Sequence, residues 1–170
     1  MKEKLYKYIK ENLEIEEINY ISFHEEIENN YECRKISPFY LKSVDNLEIN
    51  EFVEQKNNYS DFQTLLFKMI DERNLKDSDV YNKVHIDRRL FSKIRSNLNY
   101  HPSKETIILL GLSLELNEDE IVSLLDSASY SLPKNNYFDL IIRFCFINKI
   151  YKLTKVNELL EEYNCKQFNY

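Results

Sequence analysis

The sequence predicts an all-α protein. Three observations carry this: apolar residues recur at helical spacing along most of the chain, capping residues precede several of those runs, and strand-like alternation is scarce. Residues 2–13 place Leu5, Tyr8, Ile9 and Leu13 on one helical face. Residues 14–40 leave helix and bend open, since Ile15, Ile18 and Ile21 fit either, and Cys33 to Tyr40 with Pro38 reads as extended loop. Asp45 and Glu48 form a capping box that opens a short helix through Val53. The polar run Gln55 to Asn58 is the best linker, which sets a boundary near residue 58.

Beyond the linker the signals sharpen. Ser60 and Gln63 suggest a second capping box, followed by Phe62, Leu65, Leu66, Met69 and Ile70 on one face, with Asn74 as a left-handed cap. A short helix over Asp77 to Val84 turns Val80 and Val84 inward. His85-Ile86-Asp87 forms a tight turn, and Asp87 caps a helix from Arg88 to Ser96. Asn97 to His101 is a loop, Ser103 caps an apolar helix over Ile107 to Leu114, and Asn117 starts another over Ile121 to Ala128. Tyr137 to Asn148 is apolar nearly all round, and Thr154 caps a last amphipathic helix with Val156, Leu159, Leu160 and Tyr163. The domain reading is an acidic N-terminal segment (1–58), a five-helix unit (59–132) and a C-terminal helical extension (133–170).

A single glycine, Gly111, excludes several chemistries. P-loops, dinucleotide fingerprints and nucleophile elbows need glycines at fixed spacing so that backbone can approach a ligand or make a sharp turn. Asn, Ile, Lys and Tyr are abundant, as AT-rich coding favours, and Asn is expected to serve at many turns where glycine would otherwise sit. Three scattered cysteines (Cys33, Cys145, Cys165) suit a reducing compartment rather than a disulfide framework. No apolar run reaches a membrane span, and the first residues lack a signal peptide's apolar stretch, so the expected location is cytoplasmic. His24, His85 and His101 lie on separate segments, Cys145 reads as core, and Cys33 and Cys165 as exposed bystanders. Glu16-Glu17 and Glu25-Glu26 read as solvated pairs. No catalytic residue, metal site or cofactor is assigned.

Charge is uneven. The chain carries −6 overall, with a sequence pI near 5.2. Residues 1–59 hold 8 basic and 13 acidic side chains, whereas Lys83 to Lys104 holds six basic residues and one acid, Asp87. A local +5 inside an acidic protein is the electrostatic feature to explain.

The succession Leu75 to Val84, His85-Ile86-Asp87, Arg88 to Ser96 and then Pro102-Ser103 with its following helix resembles the Cro/C1-type (XRE-like) helix-turn-helix family over about residues 62–128. Val80, Val84, Ile86, Phe91 and Ile94 match the family's buried positions, Asp87 stands where the family often has Ser, and Leu110, Leu112 and Leu116 follow its fourth helix. The resemblance implies a bacterial or phage DNA-binding regulator of transcription that lays helix 88–96 in a major groove. With Leu90, Phe91 and Ile94 inward, Arg88, Arg89, Ser92, Lys93, Arg95 and Ser96 lie on or near the outer faces; Tyr100 and Lys104 follow as further candidates. The implied partner is double-stranded DNA. A protein–protein adaptor or inhibitor on the same fold is the alternative. Two positions depart from the family pattern: Asp77, with Asp79 beside it, where Gln is usual, and His85 where Gly is common. Two further expectations concern assembly. The all-round apolar helix suggests either a homodimer through residues 133–170 or cover of its extra face by the N-terminal segment within one chain. The acidic segment 1–58 is expected to fold back near the basic helix and moderate its binding, docking through Leu5, Ile9 and Leu13.

Overall fold

Every regular element in the computed structural model, which describes residues 1–13 and 61–169, is an α-helix. Eight occur: α1 over residues 2–13, α2 (Phe62–Glu72), α3 (Asp77–Lys83), α4 (Arg88–Ser96), α5 (Lys104–Ser113), α6 (Glu118–Ser127), α7 (Tyr137–Ile147) and α8 (Leu153–Glu162). The helix anticipated over 45–53 and the linker at 55–58 lie outside the described residues.

The caps follow the sequence with two shifts. Asp61, not Ser60, caps α2, its carboxylate accepting the Thr64 N–H at 2.8 Å. Gln63 therefore has no capping role; it is buried and donates to the Asn97 carbonyl at 2.5 Å. The second shift is at α8, which starts at Leu153 behind Lys152, so Thr154 lies inside the first turn rather than before it. Elsewhere the caps are as read. Asp87 accepts the Arg89 N–H at 2.6 Å, Ser103 accepts that of Thr106 at 3.3 Å, and Asn117 with Glu120 makes a reciprocal capping box. Helix α5 also starts earlier than its apolar run, at Lys104.

Six helices end alike. Asn74, His85, Glu115, Ser129, Lys149 and Asn164 follow α2, α3, α5, α6, α7 and α8 with φ between 52 and 58°. In each case the next N–H (Leu75, Ile86, Leu116, Tyr130, Ile150, Cys165) reaches back to a carbonyl five residues earlier, which closes a Schellman motif. Asparagine fills only two of these left-handed positions, fewer than its abundance suggested. The others carry a cost of roughly 1–2 kcal/mol each, offset by the two backbone bonds and by an apolar residue turned inward after the cap. Ile86, Leu116 and Ile150 are buried in this way.

The core runs without interruption through the compact unit formed by Met1–Glu14 and Ser60–Tyr170. Helix α5 is its axis, in contact with α3 on one side and α6 on the other, while α6 also meets α2 and α7, and α7 meets α8. Gly111 lies at the centre. A Cβ there would stand 2.5 Å from Ile121 Cδ1 and 3.2 Å from Phe146 Cζ, so the residue serves close packing and not a turn. Polar ties reinforce the seams. Arg73 bonds Glu120 at 2.7 Å and the Leu114 carbonyl at 3.1 Å, Ser113 Oγ donates to the Val80 carbonyl at 2.6 Å, and Arg143 joins Glu118 and the Leu132 carbonyl.

Helix α1 buries Leu5 and Ile9 as its spacing requires. Its described contacts lead to the C-terminal helices: Tyr8 packs its ring 5.6 Å from that of Phe144 on α7, and Lys2 pairs with Glu162 on α8. Docking through Leu5 and Ile9 thus occurs, but on the C-terminal pair. Residues 2–13 carry four Lys and two Glu, so the acidity of the N-terminal segment belongs to residues outside the described set. The all-round apolar character of α7 also has an internal explanation. Leu140, Ile141, Ile142, Phe144, Cys145 and Phe146 are all buried within one chain, leaving Tyr137 and Ile147 as its exposed large apolar side chains. Excess apolar surface on α7 therefore supplies no argument for a dimer.

Candidate nucleic-acid interface

Helix α4 is built to present one face. Phe91 and Ile94 are buried, and Leu90 is half-buried against the core. At about 100° per residue, Arg88, Ser92, Ser96, Arg89 and Lys93 then fall on one continuous arc of about 140°, and all five are exposed. The helix is nine residues long, about 14 Å, and the Asp87 cap leaves its first turn free of carboxylates on that arc. His85 takes φ 56°, a left-handed conformation that favours glycine, and so closes the connection from α3.

The six cations of the Lys83–Lys104 run divide into two sets. Lys83 is bound to Glu115 at 2.6 Å and to the Ser113 carbonyl at 3.0 Å. Lys104 is bound at 2.5 Å to Asp139, whose side chain is 5% exposed, which ties α5 to α7. Arg95 donates to Asp77 at 2.5 Å and lies over the Phe67 ring, 4.0 Å from its centroid. Arg88, Arg89 and Lys93 have no carboxylate partner among the described residues. The Lys93 ammonium stands 4.2 Å over the Tyr100 ring, which is half-buried and so fixes that cation at the end of the arc. Comparison with family models, curated proteins and solved structures finds no match for this chain.

The candidate residues are therefore not equivalent. Arg88, Arg89, Ser92, Lys93 and Ser96 share a face; Tyr100 supports Lys93 from the following loop; Arg95 lies at the margin, engaged with α3 and α2; Lys104 is engaged with α7. One residue escaped the sequence reading. Lys76, exposed just before α3, borders with Arg88 and Ser92 a groove of about 410 Å³ between α3 and α4. Its neighbours Asp77 and Asp79 hid it, because in sequence they cancel its charge. In space Asp77 pairs with Arg95, and both line the groove together with Lys76 and Arg88.

Other titratable groups have structural explanations. Burial pushes the Cys145 thiol up to about 12, which makes it a core residue without nucleophilic character at neutral pH. Cys165 is half-buried rather than an exposed bystander, and burial raises its thiol as well. His101 lies 2.8 Å from the Ala128 carbonyl and against the Tyr130 ring, pinning the loop before α5 to the end of α6. Cys33 and His24 lie outside the described residues. Among the described residues no helix is long and apolar enough to cross a membrane.

Proposed function

We propose that this chain is a DNA-binding regulator of the Cro/C1 type, non-enzymatic, which reads duplex DNA in the major groove with α4. One observation carries the reading: the exposed arc of α4 collects three cations without a carboxylate partner among the described residues, together with two serines, on the helix that follows a short left-handed connection. The major groove is about 12 Å wide and admits an α-helix, and arginine reads guanine bidentately while serine and lysine take phosphates or base edges. Arg88 and Arg89, on the first turn, are the base readers. Lys93 and Lys76 take phosphates, and Ser92 and Ser96 lie between them. The succession α2 to α6, with five short helices and inward Val80, Val84, Ile86, Phe91 and Ile94, supports the same reading.

The test starts from selection of preferred duplexes out of a random pool, followed by band-shift titration. Arg88→Ala and Arg89→Ala each weaken binding to the selected site by about 1–3 kcal/mol and relax the preferred base. Lys93→Ala weakens all duplexes alike and lowers the salt dependence. Unchanged affinity in all three variants removes α4 as the reader. Failure to retain any duplex at low salt, together with capture of a protein partner, favours the adaptor alternative.

A further inference from the structure

We propose that Asp77 and Arg95 form an internal strut that withdraws Arg95 from the DNA-facing set and neutralises the acid that would otherwise meet the DNA backbone. The proposal rests on the reading of α4 as the DNA-facing helix and names which of its cations make contact. By sequence, Arg95 belongs with Arg88, Arg89 and Lys93 as a fourth cation of one helix. Its position on the wheel, between Phe91 and Arg88, puts it at the edge where the exposed arc meets the core.

Two groups hold it there. The guanidinium donates to Asp77 Oδ1 at 2.5 Å, across the seam between α3 and α4. Its Cζ lies over the Phe67 ring of α2, 4.0 Å from the centroid, and Phe67 itself meets the buried Phe91 ring edge-on at 6.2 Å. Arg95 is thereby bound from two helices at once. Both partners of the ion pair remain partly accessible, at 47% and 37% of their side chains, so neither is a buried charge on which folding depends.

The arrangement also explains an acid at the head of α3. A free carboxylate at Asp77 would repel phosphate, and a free Arg95 would add a contact indifferent to base sequence. Pairing neutralises both where they line the groove beside Lys76 and Arg88, and discrimination is left to Arg88 and Arg89. Each phosphate contact made by a protein cation steepens the fall of log affinity with log salt by about 0.9, so the slope counts the cations engaged.

The experiment uses full-length protein and a generic fluorescent duplex, with affinity measured by anisotropy over a range of salt concentrations. The variants are Arg95→Gln, Asp77→Asn, the double variant, and Lys93→Ala for reference. Arg95→Gln is expected to keep the wild-type slope, whereas Lys93→Ala, which removes a phosphate contact, lowers it by about 0.9. Asp77→Asn removes the charged partner, leaves Arg95 with its ring contact alone and raises the slope by about 0.9, and adding Arg95→Gln to it restores the wild-type value. A merely loosened α4 lowers affinity at every salt concentration and leaves the slope alone, so the slope separates contact from support. A fall in slope with Arg95→Gln equal to that of Lys93→Ala overturns the proposal, as does an unchanged slope with Asp77→Asn. Absence of duplex binding by the wild-type protein overturns the DNA reading itself, and this proposal with it.

Discussion

Replacing the single glycine by alanine sets two effects against each other. Gly111→Ala adds a good helix former to the interior of α5, which by itself stabilises a helix by about 0.8–1.0 kcal/mol. The new methyl, however, stands 2.5 Å from Ile121 Cδ1 and 3.2 Å from Phe146 Cζ. Ile121 is fully buried and Phe146 is 1% exposed, so neither can swing into solvent to make room. Overpacking of a closed core costs about 1–3 kcal/mol. A contact as short as 2.5 Å belongs in the upper part of that range, about 2–3 kcal/mol, so after the propensity gain the variant is expected to lose about 1–2 kcal/mol, equivalent to a melting temperature lower by about 2–8 °C for a chain of this size. Urea unfolding followed by far-ultraviolet circular dichroism measures the difference. Ile121→Val removes the clashing Cδ1 and costs about 0.5–1.5 kcal/mol alone. In combination with Gly111→Ala it is expected to cost less than the sum, with a favourable coupling of about 1 kcal/mol. Equal or greater stability in Gly111→Ala, or strict additivity in the double variant, would refute the packing explanation.

Three further outcomes follow from the same geometry. Ser129→Gly and Lys149→Gly relieve left-handed strain at exposed positions and should each raise stability by about 0.5–1 kcal/mol in urea unfolding; a loss in both would contradict the cost assigned to those caps. Burial pushes the Glu120 carboxyl up, but hydrogen bonds from the Asn117 N–H and the Arg73 guanidinium outweigh it and hold the group below the usual carboxylate range. Its lowered folded pKa means that its stabilisation is complete above about pH 4.3, the ordinary glutamate value, and is lost as pH falls through the folded value. Glu120→Gln should therefore cost about 1 kcal/mol near neutral pH, and the gap to wild type should close in acid; a gap independent of pH refutes this. With its thiol pushed up to about 12, Cys145 should resist iodoacetamide in the folded protein and react only on unfolding, and rapid native labelling, read by peptide mass spectrometry, would contradict its burial.

Local chemistry determined much of this protein in advance. Helical spacing of Leu5, Ile9, Val80, Phe91 and Ile94 identified buried faces, and Asp87, Ser103 and Asn117 marked helix starts, because both signals act within one or two turns of chain. The bounds of α4 and the outward set Arg88, Arg89, Ser92, Lys93, Arg95 and Ser96 were legible for the same reason. Ser60 and Thr154 misled, since a hydroxyl near a helix start suits the cap, the residue before it or the first turn almost equally, and the choice depends on which backbone N–H it meets. What tertiary structure alone decided was the fate of the charges and of the excess apolar surface. Arg95 and Asp77 are 18 residues apart, Lys104 and Asp139 are 35, and no spacing rule joins them. The burial of α7 depended likewise on residues far along the chain, with Tyr8 of α1 against Phe144. Side-chain identity states how many cations a segment carries; only the packing of distant helices determines which of them have already found a carboxylate, because the Coulomb energy of a pair depends on distance in space and not along the chain.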